Sequence, residues 1–240
     1  MQPIVPLFKR EFLGYFRSPV AYVFLVVFSL ASVGLAFFVG GFFKAGTASL
    51  ETYFMFYPWL FLFLIPAAGM RLWSEEKRTG TVELLFTLPV TTLAAVLGKF
   101  LAAWAFLALA ILLSAPMALT VAYLGDPDWG VVLATYAGSI LMAGGYLGVC
   151  ALTSALTKNQ VISFVLSVIA CLVLLFLGWS VFSNVLGAVF PVWLVDLLAN
   201  FSFITHFDAF TKGIVDPKDV MFFLSLMGFT LFLNVVVLER

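Results

Sequence analysis

Residues 74–90 read SEEKRTGTVELLFTLPV. The chain has 12 basic and 12 acidic residues, and five of these 24 charges fall in this short stretch. An apolar run precedes it, about Tyr53–Met70, and another follows, about Phe100–Leu124. A charged, Gly-broken segment between two such runs reads as a polar loop joining two membrane spans. The composition agrees. Of 240 residues 64% are hydrophobic and 10% charged, where a soluble domain carries roughly 25% charge. Polar surface is too scarce to cover a water-facing globule, so lipid is the solvent.

A spanning helix needs roughly 20 mostly apolar residues to cross about 30 Å of hydrocarbon. Backbone groups in lipid must be satisfied internally, and these continuous runs lack the alternation of barrel strands. The chain therefore reads as all-α and polytopic. Six spans are expected, at about Val20–Phe43, Tyr53–Met70, Phe100–Leu124, Val131–Leu156, Val161–Trp179 and Val220–Leu238. The first run is longer than the h-region of a cleavable signal peptide. All 240 residues then form one transmembrane domain. Its parts are an interfacial helix at 1–19, a cytoplasmic loop at 71–98, and an extracytoplasmic hairpin and loop at 180–219.

Residues 180–219 are the hardest to place. A single helix over 161–200 would be about 60 Å long, twice the bilayer. The expectation is two short helices around Pro191 that dip into, or lie on, one leaflet; a seventh span is the alternative, since Pro is tolerated in membrane helices. Orientation follows Lys and Arg. With six spans, nine cations (Lys9, Arg10, Arg17, Arg71, Lys77, Arg78, Lys99, Lys158 and Arg240) share the side of both termini. Only Lys44, Lys212 and Lys218 lie opposite. Both termini are thus expected in the cytoplasm. Phe8, Phe12 and Phe16 share a helical face beside Lys9, Arg10 and Arg17, the pattern of a helix lying in the cytoplasmic leaflet until Pro19 turns the chain inward.

Enzymatic chemistry is not legible. No Walker loop or dinucleotide fingerprint occurs, and Leu97-Gly98-Lys99-Phe100 lacks the Gly-rich run and the hydroxyl residue. His206 is the one histidine, which excludes a two-His zinc motif; it reads as an ordinary loop residue. Cys150 and Cys171 lie in apolar runs and read as packing residues. The spans nearly lack ionisable groups, so a self-powered carrier or an intramembrane hydrolase is disfavoured. Asn234 is the main polar exception and is expected to bond between helices. Gly144 and Gly148 are spaced for close helix contact, within the subunit or against a neighbour.

Within the opening stretch, Arg71–Arg78 continues the second helix past the membrane surface. Gly80 supplies the left-handed stop. Thr81 caps a new short helix with Glu83 in its first turn, Val82 and Leu85 give it an apolar edge, and Pro89 ends it. Two helical turns are unstable alone in water. The helix needs a surface, and the residues alone leave open whether that is the membrane, its own bundle or a groove in a partner.

E-E-K-R-T-G-T-V-E-L-L-F-T-L-P-V followed by L-G-K resembles the cytoplasmic signature of type 2 ABC exporter permeases. K-R-E-F-x-x-Y-F-x-S-P at Lys9–Pro19 is similar to that family's interfacial start, P-A-x-x-M-R at Pro66–Arg71 leads into the coupling motif, and H-F-D-A-F-T-K-G-I-V-D-P-K-D-V at His206–Val220 resembles the gliding-motility, GldF-like branch. The resemblance implies that Glu75, Glu76, Gly80, Thr81, Glu83, Leu84, Leu85 and Pro89 form a coupling helix seated on an ATPase subunit. It implies six spans, a re-entrant hairpin, and a multi-pass protein of the bacterial inner membrane. It further implies a dimer, with a homodimer favoured, and an auxiliary membrane protein with an extracytoplasmic domain. ATP and Mg would belong to the ATPase subunit; no cofactor, metal or catalytic residue is expected in this chain, and no nucleic acid.

Two functions compete. One is the permease subunit of an ATP-driven transporter, coupled through residues 75–89. The other is a non-transporting anchor or mechanical transmitter acting on an extracytoplasmic partner, with contact placed at His206, Asp208, Asp216 and Asp219. A stand-alone channel is a third class, disfavoured by the absence of polar sites in the spans.

Overall fold

The computed structural model describes residues 4–46, 48–81, 90–188 and 190–239. Among the described residues every regular element is a helix. Helix α1 (Ile4–Arg17) precedes α2 (Pro19–Gly34), whose last turn widens into a π-helical turn at Leu35–Val39. Two single turns, α3 (Phe42–Ala45) and α4 (Glu51–Phe54), lead to α5 (Tyr57–Gly69) and α6 (Arg71–Thr79). Then come α7 (Thr92–Leu112), α8 (Ala115–Leu124), α9 (Trp129–Leu156) and α10 (Gln160–Phe176). The chain ends with α11 (Ser180–Gly187), α12 (Val192–Ala199), α13 (Phe203–Thr211) and α14 (Pro217–Leu238).

Among the described residues, five helical stretches are long and apolar enough to cross a membrane: Pro19–Val39, Glu51–Thr79, Thr92–Leu124, Trp129–Leu156 and Pro217–Leu238. A sixth apolar helix, α10, has 17 residues, at the lower limit of a span. Side-chain caps set several of the starts. Ser18, Thr91, Asp128, Asn159 and Asp216 each accept a hydrogen bond from a first-turn amide, which satisfies donors that lipid could not. Proline at the first helical position of α2 and α14 costs nothing there, since its missing N–H would be unpaired anyway.

Helix α9 is the axis of the bundle. In its apolar window 78% of residues are buried, against 22% for Pro19–Val39 and 28% for Pro217–Leu238. Its glycines let neighbours approach. Gly144 faces Met227 and Trp104, and Gly148 faces Thr230. Both therefore pack within the chain, against α14 and α7. Hydroxyls and ring N–H groups join the helices, where lipid offers no competing partner. Ser114 Oγ lies 3.1 Å from Tyr57 Oη and 3.0 Å from Tyr136 Oη. Trp104 Nε1 donates to Ile140 O at 2.8 Å, and Tyr146 Oη to Pro58 O at 3.0 Å.

The structure corrects several expectations. The third apolar stretch begins at Thr92, eight residues before the expected Phe100, because Lys99 is buried within it instead of marking its end. It also bends at Leu113-Ser114, ahead of Pro116 at the start of α8. Residues 203–211, read as outer loop, form α13, whose Phe203, Phe207 and Phe210 are buried. Phe203 stacks on Tyr146 with ring centroids 4.1 Å apart. His206 is therefore a buried helical residue. Asn234 is fully buried, but neither side-chain polar atom has a partner among the described residues, so the expected interhelical hydrogen bond is not made. Cys150 and Cys171 are buried free thiols, close together on α9 and α10.

Candidate functional site

The charged stretch begins on α6, which leaves the bundle at the end where α1 also lies. Pro66 lacks an amide to donate within α5, and the helix breaks at Met70 before restarting as α6. Ser154 of α9 repairs the break. Its Oγ accepts from the amides of Trp73 and Ser74, both at 3.0 Å, and donates to Met70 O at 2.8 Å. One hydroxyl offers one donor and two acceptor positions, so Ser154 is fully used. One turn further along α6, Lys77 Nζ donates to Ala155 O. That carbonyl belongs to the last turn of α9, where the helix dipole favours a cation.

A second anchor comes from α7. Lys99 is 5% exposed, and its Nζ lies 2.7 Å from Glu76 Oε1 and 3.6 Å from Glu11 Oε2. It also sits 5.3 Å from the centroid of the Trp73 ring. One buried ammonium thus ties α6 to α1 and α7. In the sequence Lys99 counts among the cytoplasmic cations, just ahead of the expected span. The available signal was a lone lysine inside the run Ala94–Ala103, which must find a carboxylate if it is to stay charged in a dry site.

Helix α1 completes the anchor. Phe8 stacks on Phe12, and Phe12 meets Phe16 edge-on. The inward side, though, is made by Leu7 against Gly98 and by Tyr15 stacked on Phe106 at 4.8 Å. So α1 packs on α7 and does not contact lipid alone. Burial pushes the Tyr15 phenol up from its ordinary range, and the Glu11 charge adds to this.

The outer end of α6 stops as expected. Gly80 adopts φ +73°, and its amide donates to Glu76 O. The Thr79 hydroxyl returns to Glu75 O at 3.0 Å and meets the Thr81 hydroxyl at 3.0 Å. Of the sequence-derived coupling residues, Glu75 and Glu76 lie on α6, and Gly80 and Thr81 at its end. Glu83, Leu84, Leu85 and Pro89 lie outside the described residues.

At the far end of the bundle, His206 and Asp219 bury one another. Their Nδ1 and Oδ1 atoms are 2.6 Å apart, and His206 Nε2 lies 2.8 Å from Asn200 O. The imidazole stacks on Phe222. Asp208 and Asp216 remain exposed, and Asp208 pairs with Lys212, whose ammonium is held above its usual range by that carboxylate. No cluster of metal-ligating side chains occurs among the described residues.

The family model described as ABC-2 family transporter protein matches residues 45–238. No curated protein matches the chain.

Proposed function

The chain belongs to the ABC-2 family of transporter proteins, membrane transport components that are not themselves catalytic, and from that premise we propose that residues 75–89 are the coupling segment through which a separate ATPase subunit drives it. The observation that carries the reading is the mounting of α6. Its inner half is pinned to α9 by Ser154, and its outer half to α9 by Lys77 and to α7 and α1 by Lys99 against Glu76. Its outer end stops at Gly80, next to residues 82–89. A helix anchored from Trp73 to Lys77 and leading into a short apolar-edged segment transmits load: force applied beyond Gly80 reaches α7 and α9 together.

The remaining parts of the proposal follow the sequence. Six spans, with α10 as the fifth, put both termini in the cytoplasm of a bacterium, and α11 and α12 form a re-entrant hairpin around Pro191. Two copies make the pathway under two ATPase subunits. The GldF-like similarity of residues 206–220 supports a gliding-motility type of complex with an auxiliary extracytoplasmic protein. A purely force-transmitting role is the second reading. Exposed Asp208 and Asp216 favour it as the contact, whereas His206 and Asp219 are engaged with each other.

Co-purification with the ATP-binding subunit encoded beside this chain tests the reading. Wild-type protein should retain that subunit and stimulate its ATPase; Glu83→Lys and Leu85→Asp should lose both while the helical bundle stays folded. Retention and stimulation unchanged in both variants would sink the coupling assignment.

A further inference from the structure

A cavity of about 460 Å³ opens between α1, α2, α5, α6 and α7. Its lining changes along its length. At the end that carries the N-terminus stand Glu11, Arg71, Glu75 and Lys99. Below them the walls are apolar, with Val20–Val27 on one side and Leu64–Ala68 on the other. The longer wall, Val20–Val27, descends seven residues, about 10 Å of helix, or two-thirds of one leaflet's hydrocarbon, and Leu64–Ala68 faces it over about 6 Å. Ala67 and Ala68 leave the space that larger side chains would fill. In a bilayer such a gap does not stay empty, because its lining would forfeit contacts on one side.

We propose that this cavity is a binding site for one zwitterionic membrane phospholipid from the leaflet on the α1 side, its acyl chain between α2 and α5 and its headgroup among the four charges. The charges decide the occupant. Lys99 is engaged with Glu76 and Glu11, but neither Arg71 nor Glu75 has a salt-bridge partner among the described residues. A guanidinium matches a phosphate in bidentate geometry, and a carboxylate one turn away matches the headgroup ammonium. The lining charges sum to zero, which a zwitterion satisfies. A second copy of this chain would have to bring an apolar wedge below and a paired charge above. The site stands whether or not the coupling reading holds, since it uses only the bundle as folded.

The test places the full chain in nanodiscs containing phosphatidylethanolamine with a photoactivatable group on its upper acyl chain. Adducts mapped by peptide mass spectrometry should concentrate on Val20–Val27 and Leu64–Ala68, about tenfold over the exposed face of α14 at Leu224 and Phe232. Ala67→Trp, or Val27→Trp from the opposite wall, should reduce them to the α14 level. Arg71→Gln should lower the phosphatidylethanolamine retained through detergent extraction about tenfold. Adducts no denser than on α14 would mean ordinary surrounding lipid and would overturn the site. So would an interchain disulfide at Val23→Cys accompanied by loss of the adducts, because a second copy would then fill the cavity.

Discussion

Replacing Lys99 by Met should loosen the root of α6 through electrostatics, not packing. Met keeps the length and apolar stem, so the change isolates the charge. It leaves Glu76 and Glu11 facing one another without the ammonium that sits 2.7 Å and 3.6 Å from them. Glu76 already has one buried oxygen without a partner among the described residues. Breaking a fully buried pair costs about 3–5 kcal/mol, and an exposed pair about 0–1 kcal/mol. The lysine side chain is 6% exposed, but Glu76 is 23% and Glu11 25% exposed. Glu11 keeps Arg10 at 2.7 Å and water screens both carboxylates, so the expected loss is about 2 kcal/mol, or roughly thirtyfold in the unfolding equilibrium. The assay is unfolding in mixed micelles of increasing dodecyl sulfate, read by tryptophan fluorescence, with Trp73 as a local reporter beside Lys99. Lys99→Met/Glu76→Gln should recover at least half of the loss, because no uncompensated charge remains at Glu76. A single variant within about 0.5 kcal/mol of wild type, or a double variant whose cost is the sum of the singles, would refute this account.

Three further outcomes follow from the same geometry. Ser154→Ala removes one hydroxyl from three hydrogen bonds; at the roughly 0.6 kcal/mol typical of each such bond in membranes the loss is about 2 kcal/mol, and hydrogen exchange at Trp73 and Ser74 should rise before global unfolding. Gly148→Leu drives a side chain into Thr230 and the backbone of Met227, so α14 should separate from α9 and the protein should lose thermal stability, whereas Gly34→Leu, with open space around it, should not. The half-buried Tyr15 phenol stays neutral to higher pH in the docked state; undocked, it ionises near pH 10. Docking of α1 should therefore be constant below that pH and weaken above it, seen as faster proteolysis after Arg17, and Tyr15→Phe should abolish that alkaline dependence.

The helical, multi-pass class was legible because lipid imposes it. In lipid a backbone is satisfied only in helices or closed barrels, and long continuous apolar runs without alternation select helices and announce where they lie. The stop at Gly80 was likewise local, because the left-handed φ it needs is written in one residue, whereas the cap at Thr91 was passed over and the third span was expected to begin eight residues later than it does. The charged stretch 74–90 was marked as the place to look by contrast with its flanks. None of this required knowing which helix touches which.

Pairing between distant residues was decided only by the tertiary structure. Ser154 lies eighty positions from the amides it receives, and nothing in its own surroundings distinguishes it from any other small residue of α9. Lys99 resembled a boundary charge because its counter-ion stands 23 residues away on α6. His206 resembled a loop residue because the apolar face of α13 becomes visible only when Gly138 and Gly145 open slots for Phe210 and Phe203. Composition and periodicity report the solvent that each residue prefers. A charge or hydroxyl inside an apolar run is governed instead by one partner at hydrogen-bond distance, and only the folded chain says where that partner is.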